Sequence, residues 1–426
     1  MIFESAMRAF LQEDPLVAPV WDAKLLQEHF KTKSMAEFIY MGFGETWYRA
    51  PAALRSYLGE AQAMDHGYQF SPWGKPSYRA VLRDYILRDH GLPLESEWQV
   101  AYASTGSRMR MYDFSRLLRA RAQLEPAVIY ALPSWDYHGV FCKNGFRALA
   151  YDLRVEEQFQ PQPEKIRKLL EATAQPGQNH HLVVVINAQH NPSGVMWQKE
   201  RVAAILALAL EFQTSVLIDD AYYGLVNPGL ERVSVLALLH ELLSTSTVRI
   251  PWLAVRSLGK QFHCNGWGLG AVVGESELLH ELDTLFAEHT YSYGGAAQSA
   301  MSQWLLSPLS TEFLCQISKE YAHKKAWITE FLSRHSNYPR EYLYNSETTP
   351  HYLLRVPEAF QNKKNPDRSF NEDALANHNL FLSRGSMVQD SAFPEINRWF
   401  RLYLGAEQVV IVEALKRISQ YSWEPI

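Results

Sequence analysis

Lys260 lies in Leu253-Ala-Val-Arg-Ser-Leu-Gly-Lys-Gln-Phe-His-Cys-Asn-Gly-Trp-Gly-Leu-Gly270, where an apolar run gives way to Ser257, Gly259 and the lysine. A lysine at the mouth of a buried strand loses hydration, its pKa falls, and the free amine can form a Schiff base. A lone loop lysine is far more often simply solvated, so the reading depends on what else is brought to the same place. Four other polar clusters qualify. Ser104-Thr-Gly-Ser-Arg108 reads as an anion cradle, with backbone amides at a helix N-terminus. Pro133-Ser-Trp-Asp-Tyr-His138 offers Trp135, either a core residue or a stacking partner for a flat ring. Asn187-Ala-Gln-His-Asn-Pro-Ser-Gly194 is a turn by composition. Leu217-Ile-Asp-Asp-Ala-Tyr-Tyr-Gly224 puts two carboxylates where a buried run surfaces, costly there unless one meets a cation.

The elements that must position these clusters are apolar runs. Val100-Ala-Tyr-Ala, Val128-Ile-Tyr-Ala-Leu, Leu182-Val-Val-Val-Ile and Ser215-Val-Leu-Ile read as strands buried on both faces, like the run before Lys260. Helical patterns fall near 107–121, 163–174 and 197–212, so strands and helices alternate, which predicts a largely parallel α/β sheet. Tyr68 to Arg79 opens a further helix, with Ala80, Leu82, Tyr85 and Ile86 at helical spacing. After about 308 the texture changes: a long helix (309–336), strands at 351–355 and 399–404, and a final helix predict a smaller α+β domain. The expected divisions are an N-terminal arm with part of the small domain (1–55), a large domain (56–308) and a small domain (309–426). Phe360 to Ser369 reads as an exposed polar loop.

Composition narrows the field. A chain of 426 residues, 47% hydrophobic and 20% charged, is ordinary for a globular protein, and its net charge of −5 gives no reason to expect nucleic acid or an anionic membrane. Three scattered cysteines suggest neither a disulfide framework nor a zinc site and point to a reducing compartment. No secretory signal and no run near the roughly 18 apolar residues of a membrane span are seen. A cytoplasmic enzyme is the expectation, with no metal.

Five polar clusters, each ending a strand of one α/β sheet, converge on one crevice, where such sheets bind ligands. Phosphate cradle, stacking aromatic, amide, buried carboxylate and nucleophilic lysine together match what pyridoxal phosphate requires. In order and spacing these motifs resemble the class I/II aminotransferases of the type I pyridoxal-phosphate fold, from about Ile39 to Leu404. That fold implies a seven-stranded, mostly parallel sheet between helices. The resemblance implies a catalytic Lys260 that carries the cofactor as a Schiff base and shuttles protons. It sets Asp219 against the pyridine nitrogen, and Asn191 and Tyr222 on the phenolic oxygen. Trp135 becomes the stacking aromatic, His138 a neighbour of Asp219, and Gly106, Ser107, Arg108 and Ser257 the phosphate cradle. Arg401, in Phe-Arg-Leu-Tyr-Leu-Gly, becomes the clamp for a substrate α-carboxylate, closed over by a loop at Gly44, with Asn191 beside it. It also implies a homodimer with shared sites, Tyr68 or Phe70 and Tyr291-Ser292 reaching the partner's site.

The chain departs from this pattern in places. The family's phosphate-pairing arginine, eight residues after the lysine, is here Gly268, leaving Arg108 and Arg256 as alternative cations. The serine beside the lysine is Gly259. Glu288-His289 stands where members specific for dicarboxylates carry an arginine, which argues against an acidic substrate side chain, although Glu288 can equally be a solvated helix residue. The implied reaction is transamination between an L-α-amino acid and a 2-oxo acid. Within the same fold and cofactor, the deprotonated substrate could instead be diverted to elimination, cyclisation or oxidation. A non-catalytic ligand-binding module is disfavoured, because too little chain precedes the first motif for a DNA-binding domain. A nicotinamide-binding glycine turn is set aside on spacing.

Overall fold

The computed structural model describes residues 21–34, 37–42, 49–93, 98–288, 294–334, 338–387 and 392–423. Its strands, in chain order, are β1 (Ile39–Met41), β2 (Gln99–Ala103), β3 (Ala127–Leu132), β4 (Arg147–Asp152), β5 (Asn179–Ile186), β6 (Thr214–Asp219), β7 (Trp252–Ser257), β8 (Gly270–Gly274), β9 (His351–Arg355), β10 (Leu380–Arg384) and β11 (Trp399–Tyr403).

Seven of them form one sheet in the order β2-β8-β7-β6-β5-β3-β4. All neighbours are parallel except β8, which runs against both β7 and β2. The expected α/β sheet is present. Its strands are near-continuous apolar runs because helices cover both faces. Alternate residues separate cleanly: Ile129, Val184, Ile218 and Ala254 join one core, and Val128, Val183, Leu217 and Val255 the other. Ile166 and Leu170 of helix Pro163–Thr173, with Val202 and Ile205 of helix Lys199–Glu211, cover the first face; Met111, Phe114 and Leu118 of helix Ser107–Arg121 cover the second. Each helix that crosses between parallel strands thus buries its apolar stripe on the sheet it connects.

The glycine-rich return after Lys260 is a short 3-10 turn, Asn265–Trp267, that leads into β8. A glycine begins that strand because a Cβ at 270 would stand 2.8 Å from the Arg256 carbonyl oxygen. A second sheet, ordered β1-β10-β11-β9, joins the chain's early segment to its last third, β1 lying parallel to β10. Helix Pro308–Arg334 and helix Gln408–Ile418 belong to the same part of the chain. Phe360–Ser369 is a loop only in its middle. Helix Glu358–Gln361 precedes it, and Pro366 starts helix Pro366–His378, so Gln361, Pro366 and Asp367 are buried and only 362–364 are exposed.

Candidate active site

β2, β3, β5, β6 and β7 point the same way, so the five polar clusters leave the sheet along one edge. At its centre, Ser257 ends β7 and caps the turn Leu258–Gln261; its Oγ accepts from the Lys260 amide at 3.4 Å. The Lys260 ammonium lies 4.7 Å from the centre of the Tyr222 ring. Tyr222, from the turn after β6, has its hydroxyl 3.1 Å from Nε2 of His351 on β9. Asp219 ends β6 and is buried. Tyr137 Oη donates to its Oδ2 at 2.6 Å, and the Ala221 amide donates to its Oδ1 at 3.1 Å. Burial pushes the Asp219 carboxyl up, and the Lys260 charge, the Tyr137 hydroxyl and the Ala221 amide pull it back.

The turn after β5 is pinned by Asn187. Its Nδ2 donates to the Asp219 carbonyl at 2.7 Å and its Oδ1 accepts from the Asn191 amide at 2.9 Å. The Asn191 side chain in turn accepts from Arg401 Nη1 at 3.0 Å, while Arg401 Nη2 donates to Ser383 Oγ at 3.2 Å. Among the described residues no carboxylate pairs with Arg401. Its Nε is buried without a hydrogen-bond partner, and burial lowers the guanidinium's pKa.

Gly106, at φ +84°, precedes helix Ser107–Arg121, and a Cβ placed on it meets nothing within 4 Å. Its amide donates to the Gly268 carbonyl at 2.8 Å. The exposed Arg108 guanidinium stands 4.4 Å from the Trp135 ring, and its Nη1 donates to Asp136 Oδ2 at 2.9 Å. Cradle, stacking indole, anchored acid, phenol, amide and lysine are therefore gathered along one edge. Arg401 reaches them from β11 through Asn191.

Two sequence readings need correction. His138 is exposed, with Cys142 Sγ 3.4 Å from its Nδ1; the residue that holds Asp219 is its neighbour Tyr137. Arg256 is no substitute cation for the cradle. It turns to the other side of β7, paired with Asp89, donating to Gln261 Oε1 at 2.8 Å and stacked on Tyr85 and Tyr223. Gly44, His289 and Tyr291-Ser292 lie outside the described residues. Tyr68 and Phe70 are both exposed, and Glu288 is exposed just beyond helix Ser276–Ala287. Sequence reasoning missed Tyr137, Asn187, Ser383 and His351. The first two lay within quoted motifs; their signal was a hydrogen-bonding side chain at a strand's carboxyl end. Ser383 and His351 carried none.

The residues fit pyridoxal phosphate. An open glycine cradle at a helix N-terminus suits a phosphate, and a buried, anchored acid suits a protonated ring nitrogen.

A doubly covered, mostly parallel seven-stranded sheet with a lysine after β7 and an acid at the end of β6 defines a type I pyridoxal-phosphate enzyme. Residues 41–418 match the family described as Aminotransferase class I and II, and the chain belongs to that family. It is therefore a transferase of a family that uses pyridoxal phosphate. Among its relatives, an aspartate/prephenate aminotransferase of Thermus thermophilus is 22% identical, the match covering 70% of this chain and 72% of the relative. An arginine–pyruvate transaminase of Pseudomonas aeruginosa is 25% identical, covering 70% of each. In fold, the aspartate aminotransferase from Thermus thermophilus with maleate superposes with a TM-score of 0.76 at 20% identity, covering 95% of this chain and 97% of the other. Among the described residues, no helix is long and apolar enough to cross a membrane.

Proposed function

We propose that the chain binds pyridoxal phosphate on Lys260 and transfers the amino group of an L-α-amino acid to a 2-oxo acid. Arg401 is the observation that carries this reading. A guanidinium with a buried, unpartnered Nε and no acid among the described residues is costly to hold. The cost is offset when a carboxylate arrives, and the planar fork takes it bidentately. Asn191 and Ser383 hold that fork in place.

When bound, the cofactor supplies an electron sink for the bonds broken at the substrate's Cα. The chain's own residues do the rest. Lys260 provides the amine that anchors the cofactor and, once released, moves the proton at Cα. Asp219, held by Tyr137, would be the acid that keeps the ring nitrogen protonated. Tyr222 and Asn191 Nδ2 would be the donors for the phenolic oxygen, Asn191 Oδ1 being committed to Arg401 and its backbone amide to Asn187. Trp135 stacks on the ring. The amides of Ser107 and Arg108, with the Arg108 side chain and Ser257, receive the phosphate above Gly106, whose own amide is held by the Gly268 carbonyl. The working unit is a homodimer, with either Tyr68 or Phe70, both exposed, reaching the neighbour's site. The relatives include enzymes named for aspartate and for arginine, which supports an amino acid as the donor.

The test is to purify the protein with pyridoxal phosphate, record absorbance over roughly 300–500 nm, and add amino acids singly without an acceptor. The visible band is expected to be absent in Lys260→Ala and, in wild type, to give way to one near about 330 nm with the true donor. No cofactor band in wild type overturns the reading. A long-wavelength band that persists after amino acid addition overturns transamination in favour of diverted chemistry.

A further inference from the structure

His351 sits behind the site, with no surface exposed and no part in the roles assigned above. Its Nε2 is 3.1 Å from the Tyr222 hydroxyl, and its Nδ1 is buried with no hydrogen-bond partner. The groups around it are Tyr222 after β6, Lys260 after β7, Arg401 and Tyr403 on β11, and Lys325 on helix Pro308–Arg334. Burial first, then the charges of Arg401, Lys260 and Lys325, drive its pKa well below the usual histidine value, so the ring is neutral. A neutral imidazole carries one proton. On Nδ1 that proton would be a buried donor without an acceptor, which proteins rarely tolerate; on Nε2 it meets Tyr222. The geometry therefore favours the Nε2–H tautomer, donating to Tyr222 Oη.

This contact has a chemical consequence. With its oxygen already accepting from His351, the Tyr222 phenol is left to donate its own proton elsewhere, and it becomes a stronger donor because the two hydrogen bonds polarise one another. We infer that His351 is a positioning residue: acting through Tyr222, it holds that phenol as a donor toward the phenolic oxygen of the cofactor. The inference rests on the cofactor assignment made above. A stronger hydrogen bond on that oxygen favours its anionic form and makes the nitrogen contributed by Lys260 easier to deprotonate. Losing it does the reverse.

The experiment titrates the visible band of the holoenzyme with pH in wild type, His351→Phe, His351→Gln, Tyr222→Phe and the double variant His351→Phe/Tyr222→Phe. His351→Phe is expected to raise the midpoint by about 0.5–1 pH unit. His351→Gln, which keeps an N–H donor near the Nε2 position, should return most of the shift. In the Tyr222→Phe background, replacing His351 should move the midpoint no further. His351→Asn, whose amide overlays the Nδ1 edge and stops short of Tyr222, gives the same comparison if the Phe variant does not fold. A wild-type midpoint in both His351→Phe and His351→Asn, alongside a shifted Tyr222→Phe, overturns the inference and leaves the cofactor reading standing. So does a further shift when His351→Phe is added to Tyr222→Phe, as large as the one it causes in wild type, which would mark a merely structural role. A wild-type chain with no cofactor band overturns both readings.

Discussion

The Asn191 carboxamide accepts a hydrogen bond from the Arg401 guanidinium at 3.0 Å, joining the turn after β5 in the large sheet to β11 in the small one. An arginine held this way, with Ser383 on its other nitrogen, keeps its fork in one orientation. Arg401→Lys preserves the charge but cannot make the two parallel bonds. It is expected to raise KM for the amino donor about 10–100-fold, the loss of one charge-assisted hydrogen bond of ~1.5–3 kcal/mol, with kcat reduced less. Steady-state kinetics across donor concentration check it; an unchanged KM would remove Arg401 from the substrate site.

Tyr137 is expected to set the pH range over which the cofactor is held. Burial already pushes Asp219 up, and the Tyr137 hydroxyl at 2.6 Å opposes that push. In Tyr137→Phe the carboxyl rises further, so it takes up its proton at higher pH. Asp219 must be ionised to hold a protonated ring nitrogen. Cofactor affinity should therefore begin to fall about 1 pH unit higher in the variant than in wild type, with little change at pH values where both are ionised. The dissociation constant of pyridoxal phosphate measured against pH checks this.

The large sheet was legible because β2, β3, β5, β6 and β7 are apolar runs with helical patterns between most of them. β4 and β8 were not: Arg147–Asp152 begins and ends on a charged residue, and Gly270–Gly274 looked like the tail of a turn. Site residues that end a buried strand, such as Asp219 and Ser257, stood out because polarity there is costly. Tyr137 was hidden behind the more conspicuous His138, since burial decides between neighbours and sequence does not show which one faces the sheet. Arg256 and Ser257 pose the same problem on β7, where successive side chains take opposite faces. His351 begins β9, and only Tyr222, distant in sequence, gives it a role.

Behind β7, Asp220 is expected to make the fold less stable at alkaline pH. It is buried, with both carboxylate oxygens lacking hydrogen-bond partners and His90 Nε2 3.8 Å away. Burial raises its pKa to about 7; Arg256 opposes that rise, while Asp219 and Asp89 add to it. In the unfolded chain the group ionises near pH ~4. Between about pH 4 and 7 the folded state keeps a proton that the unfolded state has lost, so its contribution to stability falls as pH rises. Asp220→Asn removes that penalty. Relative to wild type it should gain about 1–3 kcal/mol at pH 8 and little at pH 4, read by urea denaturation at both. Asp89 behaves oppositely. Arg256 and Arg232 overcome burial and hold it down at about 2, so its contribution is full above the unfolded value and is lost only as pH falls from about 4 to 2.

Gly268 and Arg108 should separate the architecture of the cradle from its charge. Gly268 has φ +62°, and a Cβ on it would lie 3.2 Å from Thr105 Cα, itself in a turn at φ +60°. Alanine there adds a left-handed penalty of about 1 kcal/mol and presses on the backbone of the cradle. Because the Gly268 carbonyl accepts from the Gly106 amide, the disturbance reaches the amides that would hold the phosphate. Gly268→Ala is thus expected to lower both the stability of the cofactor-free protein and its affinity for pyridoxal phosphate. Arg108 is exposed and paired only with Asp136 and the Trp135 face, an arrangement that contributes little to folding. Arg108→Ala should leave cofactor-free stability within about 0.5 kcal/mol while raising the cofactor's dissociation constant about 10-fold, and that increase should shrink at high salt. Equal cofactor affinity in Arg108→Ala and wild type would mean that the amides and Ser257 hold the phosphate without a cation from Arg108.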